Sequence, residues 1–145
     1  MPASANFLGS AEPHQGKVDQ QVSKTAAAIV KGDLLTLSSG KWQTAPASAT
    51  DGPFAVALET KAAADPTIHV LLKGIVYVTA DGVIVPNTYI KNATATAGQV
   101  IQGSAADAYS KVVGIYLGHE NEGDGETEAT NAADGDVIRI FRGVV

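Results

Sequence analysis

Between Gly32 and Pro86 the chain reads GDLLTLSSGKWQTAPASATDGPFAVALETKAAADPTIHVLLKGIVYVTADGVIVP, a succession of short β-type runs, each closed by turn residues. Runs of four to eight apolar and β-branched residues bounded by Gly, Pro, Asp and Ser clusters cannot sustain helices and read as strands. Val, Ile and Thr together number 36, and side chains branched at Cβ favour extended backbone. The bulk of the apolar content is less than it looks, because 24 of the 145 residues are Ala and only eight are aromatic. A chain of this length suggests one domain with a core of ordinary size.

The spacing predicts strands over Ala26–Val30, Leu34–Leu37, Lys41–Thr44, Phe54–Glu59, Thr67–Lys73, Ile75–Thr79, Gln99–Gln102, Val112–Leu117 and Val137–Phe141. Gly74, isolated between two such runs, marks a bulge or bend. Asp81-Gly82 is a two-residue hairpin signal joining IVYVT to VIV. Ser104–Lys111 offers the one short helical option. Roughly ten short strands imply a mainly β fold, a compact barrel-like domain over residues 26–145. Residues 1–25 differ: they are rich in Ser, Ala, Gln, Gly and Pro, with Phe7, Leu8, Val18 and Val22 as sparse apolar positions. That span reads as an extended N-terminal arm able to order on a partner.

Little in the sequence points to chemistry. The absence of cysteine excludes disulfides, thiolate nucleophiles and cysteine-based zinc sites. The net charge of -5, with ten basic residues of which no two are adjacent, argues against nucleic acid as a partner. No run approaches the ~20 apolar residues of a membrane helix, and no secretory leader is visible in MPASANFLGSAEPHQGK. His14, His69 and His119 sit in no metal-ligand spacing, and His69, within a strand, reads as a half-buried structural residue. No nucleophile elbow or phosphate-cradling glycine loop is present, so the chain is expected not to be an enzyme and to need no cofactor. The acidic segment 119–136, HENEGDGETEATNAADGD, places Glu120, Glu122, Asp124 and Glu126 at alternate positions, a weak Ca²⁺ candidate that fails the EF-hand pattern and reads better as a solvated loop. Asn92-Ala93-Thr94 has the form of a glycosylation sequon, and Lys31-Gly32-Asp33 that of a turn.

Four linked pieces carry a family resemblance. LLTLSSGKW ends a strand in a Ser-rich turn; a loop closing on Thr50-Asp51-Gly52 leads to AVALET; AADPTIHVLLKG runs an alternating strand into Lys-Gly; IVYVTADGVIVP ends on a Pro. In order and spacing this region, from Gly32 to about Lys91, resembles the head decoration proteins of lambda-like bacteriophages. The resemblance implies a β-tulip fold and a homotrimer on the outer capsid surface of the virion. The trimer would sit at threefold and quasi-threefold sites and hold the major capsid protein shell against internal genome pressure. It also implies that the arm adds to capsid-protein strands, with Phe7, Leu8, Val18 and Val22 as anchors by position. The chain departs from that pattern in its long arm and in its extra length beyond Lys91. The alternative is a carbohydrate- or host-surface-binding β module of a phage particle, with Trp42, Tyr77, Tyr89 and Tyr109 as a stacking platform; core packing is the preferred reading of those four aromatics.

Overall fold

The computed structural model describes residues 18–119 and 129–143. They form nine strands: β1 (Val18–Ser23), β2 (Leu34–Ser38), β3 (Lys41–Thr44), β4 (Phe54–Ala57), β5 (Thr67–Thr79), β6 (Tyr89–Asn92), β7 (Val100–Gln102), β8 (Val112–His119) and β9 (Val137–Arg142). The predicted helix contracts to a single 3₁₀ turn, Tyr109–Lys111. All nine strands belong to one sheet, in the order β3-β2-β4-β5-β9-β8-β6-β7 with β1 added to β5, and every strand pair is antiparallel.

β5 organises the molecule. Its first half pairs with β1 (Val22 opposite Ile68) and with β4 (Val56 opposite Leu71), so those two neighbours lie on opposite edges. From Gly74 onward its partner is β9, from Gly74 opposite Arg142 to Thr79 opposite Val137. The change of partner falls on Gly74, whose φ of 124° is open to glycine and strained for other residues. The two runs expected on either side of this glycine are thus one strand of 13 residues.

Both ends of the sheet return on themselves. Lys24, just past β1, bridges Trp42 of β3, and the Thr25 amide donates to the Trp42 carbonyl at 2.9 Å. At the other end Ala80 bridges Val100 of β7, and the Asp81 amide donates to the Val100 carbonyl at 2.8 Å. The strands therefore close into two rings, β3-β2-β4-β5-β1 and β5-β9-β8-β6-β7, which share β5. This is the barrel-like, mainly β architecture expected from the sequence.

Two apolar clusters fill it. One gathers Ile29, Leu35, Trp42, Ala55, Ala57, Ile68 and Val70, with Val22 and Leu72 against it. The other gathers Leu34, Phe54, Val56 and Leu71 with Val76, Val78, Ile84, Ile90, Val113, Tyr116, Ile138 and Ile140. Neighbouring residues of β2, β4 and the first half of β5 thus enter different clusters. A wall buried on both faces needs continuous apolar runs rather than alternation, which is why Leu34-Leu35 and Phe54-Ala55-Val56-Ala57 carry no polar residue.

Four local features differ from the strand pattern read in the sequence. Ala26–Val30 is not a strand; only Ile29 makes a bridge, to Lys61. Asp81-Gly82 does not close a hairpin, because Thr79 is taken by Val137 and Asp81 by Val100, and Ile84 bridges Ala132 instead. Val18–Ser23, inside the span read as arm, is hydrogen-bonded into the sheet as β1, and Tyr89–Asn92, not expected as a strand, is β6.

Candidate functional site

Among the described residues, titratable side chains are engaged in local structural contacts. Among the described residues, no three His, Asp or Glu side chains gather closely enough to hold a metal ion. His69 is exposed rather than half-buried: its imidazole points outward from β5, 3.7 Å from Glu59, whose carboxylate also accepts the His69 backbone amide at 3.0 Å. The outward parity of β5 explains the difference, since Ile68 and Val70 take the inward positions. His119 is half-buried at the end of β8, its Nε2 2.8 Å from an Asp136 carboxylate oxygen. The Ala133 amide, then the His119 contact, hold the Asp136 carboxyl below the usual carboxylate range. This pair fastens the turn before β9. His14 and the Ca²⁺ candidates Glu120, Glu122, Asp124 and Glu126 lie outside the described residues.

Asn92 of the apparent sequon is buried, and its side-chain amide donates to the carbonyls of Pro46, Ser48 and Ala93. It clamps the loop between β3 and β4 onto β6. Lys31-Gly32-Asp33 is the expected turn, with Gly32 at φ 91°. The Asp33 carboxylate accepts the Val30 amide at 3.1 Å and the Thr44 hydroxyl at 3.2 Å. Burial raises the Asp33 pKa, and these two hydrogen bonds oppose the rise.

Of the four residues named as arm anchors, Phe7 and Leu8 lie outside the described residues, Val18 starts β1 opposite Lys73, and Val22 is half-buried against the first core cluster. The described chain therefore enters the sheet at the β1–β5 ladder.

Of the four aromatics, Trp42 is core, as preferred, whereas Tyr77, Tyr89 and Tyr109 are exposed, Tyr109 at 65%. Ile75 and Tyr77 of β5 stand outward opposite Phe141 and Arg139 of β9, and with exposed Val137 they present an apolar outer face. Tyr89 and Tyr109 line a cleft of about 220 Å³ with Ser104, Asp107 and Ile115. Asp107 accepts the Ser104 amide at 2.7 Å and Lys91 Nζ at 3.2 Å, and these contacts, the amide first, lower its pKa. No sequence signal separated these tyrosines from core residues: Ile75-Val76-Tyr77-Val78 is apolar on both faces, and only the register against β9 shows which side is wet.

No protein-family model matches the sequence, and no curated protein matches it. Among solved structures, the fold is similar to that of the head fibre gp8.5 N base of bacteriophage phi29. The TM-score is 0.57 at 15% sequence identity, over 88% of this chain and 94% of that chain. That neighbour is a head fibre base rather than a lambda-like decoration protein, and at this identity the likeness establishes the fold.

Proposed function

We propose that this chain is a structural protein of a bacteriophage head, a decoration domain that acts by binding the capsid. The observation that carries the reading is the likeness, over 88% of this chain, to a head fibre base, 94% of which is covered. The family resemblance of residues 32–91 points independently to the same kind of particle. The finer form of the proposal is a homotrimeric cement protein on the outer surface of the virion. It binds the major capsid protein at threefold and quasi-threefold sites and uses no cofactor. Three arms per trimer engage the shell together, and linked engagement raises avidity without new kinds of contact. Phe7, Leu8 and Val18 are the proposed arm contacts. Val22, packed against its own core, serves as the tether of the arm to the domain.

β1 fixes where the test must cut. Removing residues 1–25 would strip β1 from β5 and the Lys24 bridge from Trp42, so loss of binding would be confounded with loss of fold. Removing residues 1–17 leaves the described ladder whole. The 1–17 deletion should keep the far-ultraviolet circular dichroism and native-mass-spectrometry oligomer of the full chain and lose co-sedimentation with purified heads. Saturation of heads by the deletion variant would defeat the arm proposal, and a full-length monomer that ignores heads would defeat the cement reading.

The cleft between Tyr89 and Tyr109 favours a second reading, a carbohydrate-binding module of a phage particle. Exposed aromatic faces beside an ionised carboxylate suit a sugar ring and its hydroxyls. Glycan-array binding lost in Tyr89→Ala and Tyr109→Ala would support it, and an array without hits would remove it.

A further inference from the structure

Among the described residues, no carboxylate pairs with Arg142, the last residue of β9. Its residue exposure is 3%, yet it lines a cleft of about 340 Å³ with Pro53, Phe54, Leu72, Lys73 and Tyr109 among the walls. Its Nε donates to the Val113 carbonyl at 2.9 Å and one Nη to the Leu72 carbonyl at 2.6 Å. A guanidinium carries five N–H donors. Two are committed here, and among the described residues no carboxylate meets the group. Asp51, which precedes the lining residue Gly52, is held by Ser110 at 3.0 Å and Lys111 at 3.1 Å.

The fold makes room for this side chain. A Cβ on Gly114 would lie 2.6 Å from the Phe141 carbonyl oxygen and 3.4 Å from Arg142 Cγ, so only glycine lets β8 pass beside it. Burial lowers the Arg142 pKa to about 10, which leaves it charged at neutral pH. Arg142 is not among the buried side-chain groups left without a partner, so the remaining N–H groups of this charged fork reach solvent and are open to a complementary group. Planar bidentate geometry selects a carboxylate. Lys73 on the rim adds a second positive charge, and the apolar walls suit the stem that carries the acid.

We propose that the cleft between Pro53, Tyr109 and Arg142 is a carboxylate pocket that receives an Asp or Glu side chain from a protein to which the domain docks. Its position argues for a protein occupant. Lys73 is the ladder partner of Val18, so the cleft opens where the 17 preceding residues join the domain. A surface engaged by that segment lies within reach of the cleft. The inference rests on the head reading only for which protein supplies the side chain.

The test is a titration of the ¹⁵N-labelled full chain with benzoate, with benzyl alcohol as the uncharged control. Saturable shifts at Arg142 Nε–H and at the Leu72, Lys73 and Ser110 amides are expected with benzoate alone. Lys73→Glu, at an exposed rim position, should weaken benzoate about tenfold without unfolding the chain, and Arg142→Lys should weaken it further. Absence of saturation, or equal response to benzyl alcohol, overturns the pocket. Co-sedimentation of Lys73→Glu with purified heads then reads the partner: about tenfold weaker binding supports a carboxylate on the head, and unchanged binding overturns a head protein as its source. Failure of the wild-type chain to bind heads would count against the head reading while the benzoate result stood.

Discussion

Alanine at each of the three leucines of β2 separates a wall between two cores from an ordinary half-buried strand. Leu34 and Leu35 are both fully buried, in different clusters, whereas Leu37 is 42% exposed. Truncating a leucine to alanine removes about three carbons from an apolar site, near 2.4 kcal/mol at ~0.8 kcal/mol per methylene. The unfilled space adds to that, so each buried truncation should cost ~3 kcal/mol within the usual ~2–5. Leu37→Ala, with much of its side chain already in water, should cost about 1 kcal/mol or less. In thermal melts the two buried variants should fall by roughly 10 °C, taking about 3 °C per kcal/mol for a chain of this size. Urea unfolding followed by circular dichroism and by Trp42 emission would give the free energies. Trp42 shares its cluster with Leu35 and not with Leu34, so Leu35→Ala should also shift native emission while Leu34→Ala leaves it in place. A strand with one wet face would make one of the two neighbours cheap. A cost below about 1 kcal/mol at either Leu34 or Leu35 would refute the two-core reasoning.

Gly114→Ala forces β8 away from the Phe141 carbonyl, and a loss of about 2 kcal/mol or more in urea unfolding is expected; a change within about 0.5 kcal/mol would show that the ladder yields freely. Asn92→Ala leaves the carbonyls of Pro46, Ser48 and Ala93 without their shared donor and should cost about 1–3 kcal/mol, with wild-type stability as the contrary result. Asp136 has a lowered carboxyl pKa, so its contribution is complete above the ordinary value of about 3.9 and is lost as pH falls through the lowered one. Asp136→Asn should therefore flatten the acid limb of melting temperature against pH between about 5 and 2, and an unaltered limb would assign that limb to other groups.

Much of the strand pattern was legible because local composition and burial agree. Lys41–Thr44 and the starts of β2, β4, β5, β8 and β9 stand where turn residues and β-branched runs put them. The misses have physical causes. β1, VDQQVS, carries too few apolar residues to signal a strand, and its place depends on backbone pairing with β5 rather than on a buried face of its own. The Asp81-Gly82 signal describes what a turn prefers locally, and the longer ladder with β9 and the bridge to Val100 outweigh it. Arg142 was invisible as a site residue for a related reason: a lone arginine at a strand end has meaning only when the register sets it across Gly114 and under Leu72. Exposure of Tyr77, Tyr89 and Tyr109 likewise follows from register and not from residue type.

The sharing of β5 between two rings has a mechanical consequence. Two lobes joined by a docked interface would part at that interface under strain, since noncovalent contacts are the weaker link. Here a pull entering at Val18 passes along β1 into the first half of β5, and from there through continuous peptide bonds into the half that carries β9. The load reaches both cores without crossing a side-chain seam. A domain wired in this way yields only by tearing strand ladders, so stretching the full chain between residue 18 and residue 143 should give a single rupture event rather than a separation of lobes followed by two.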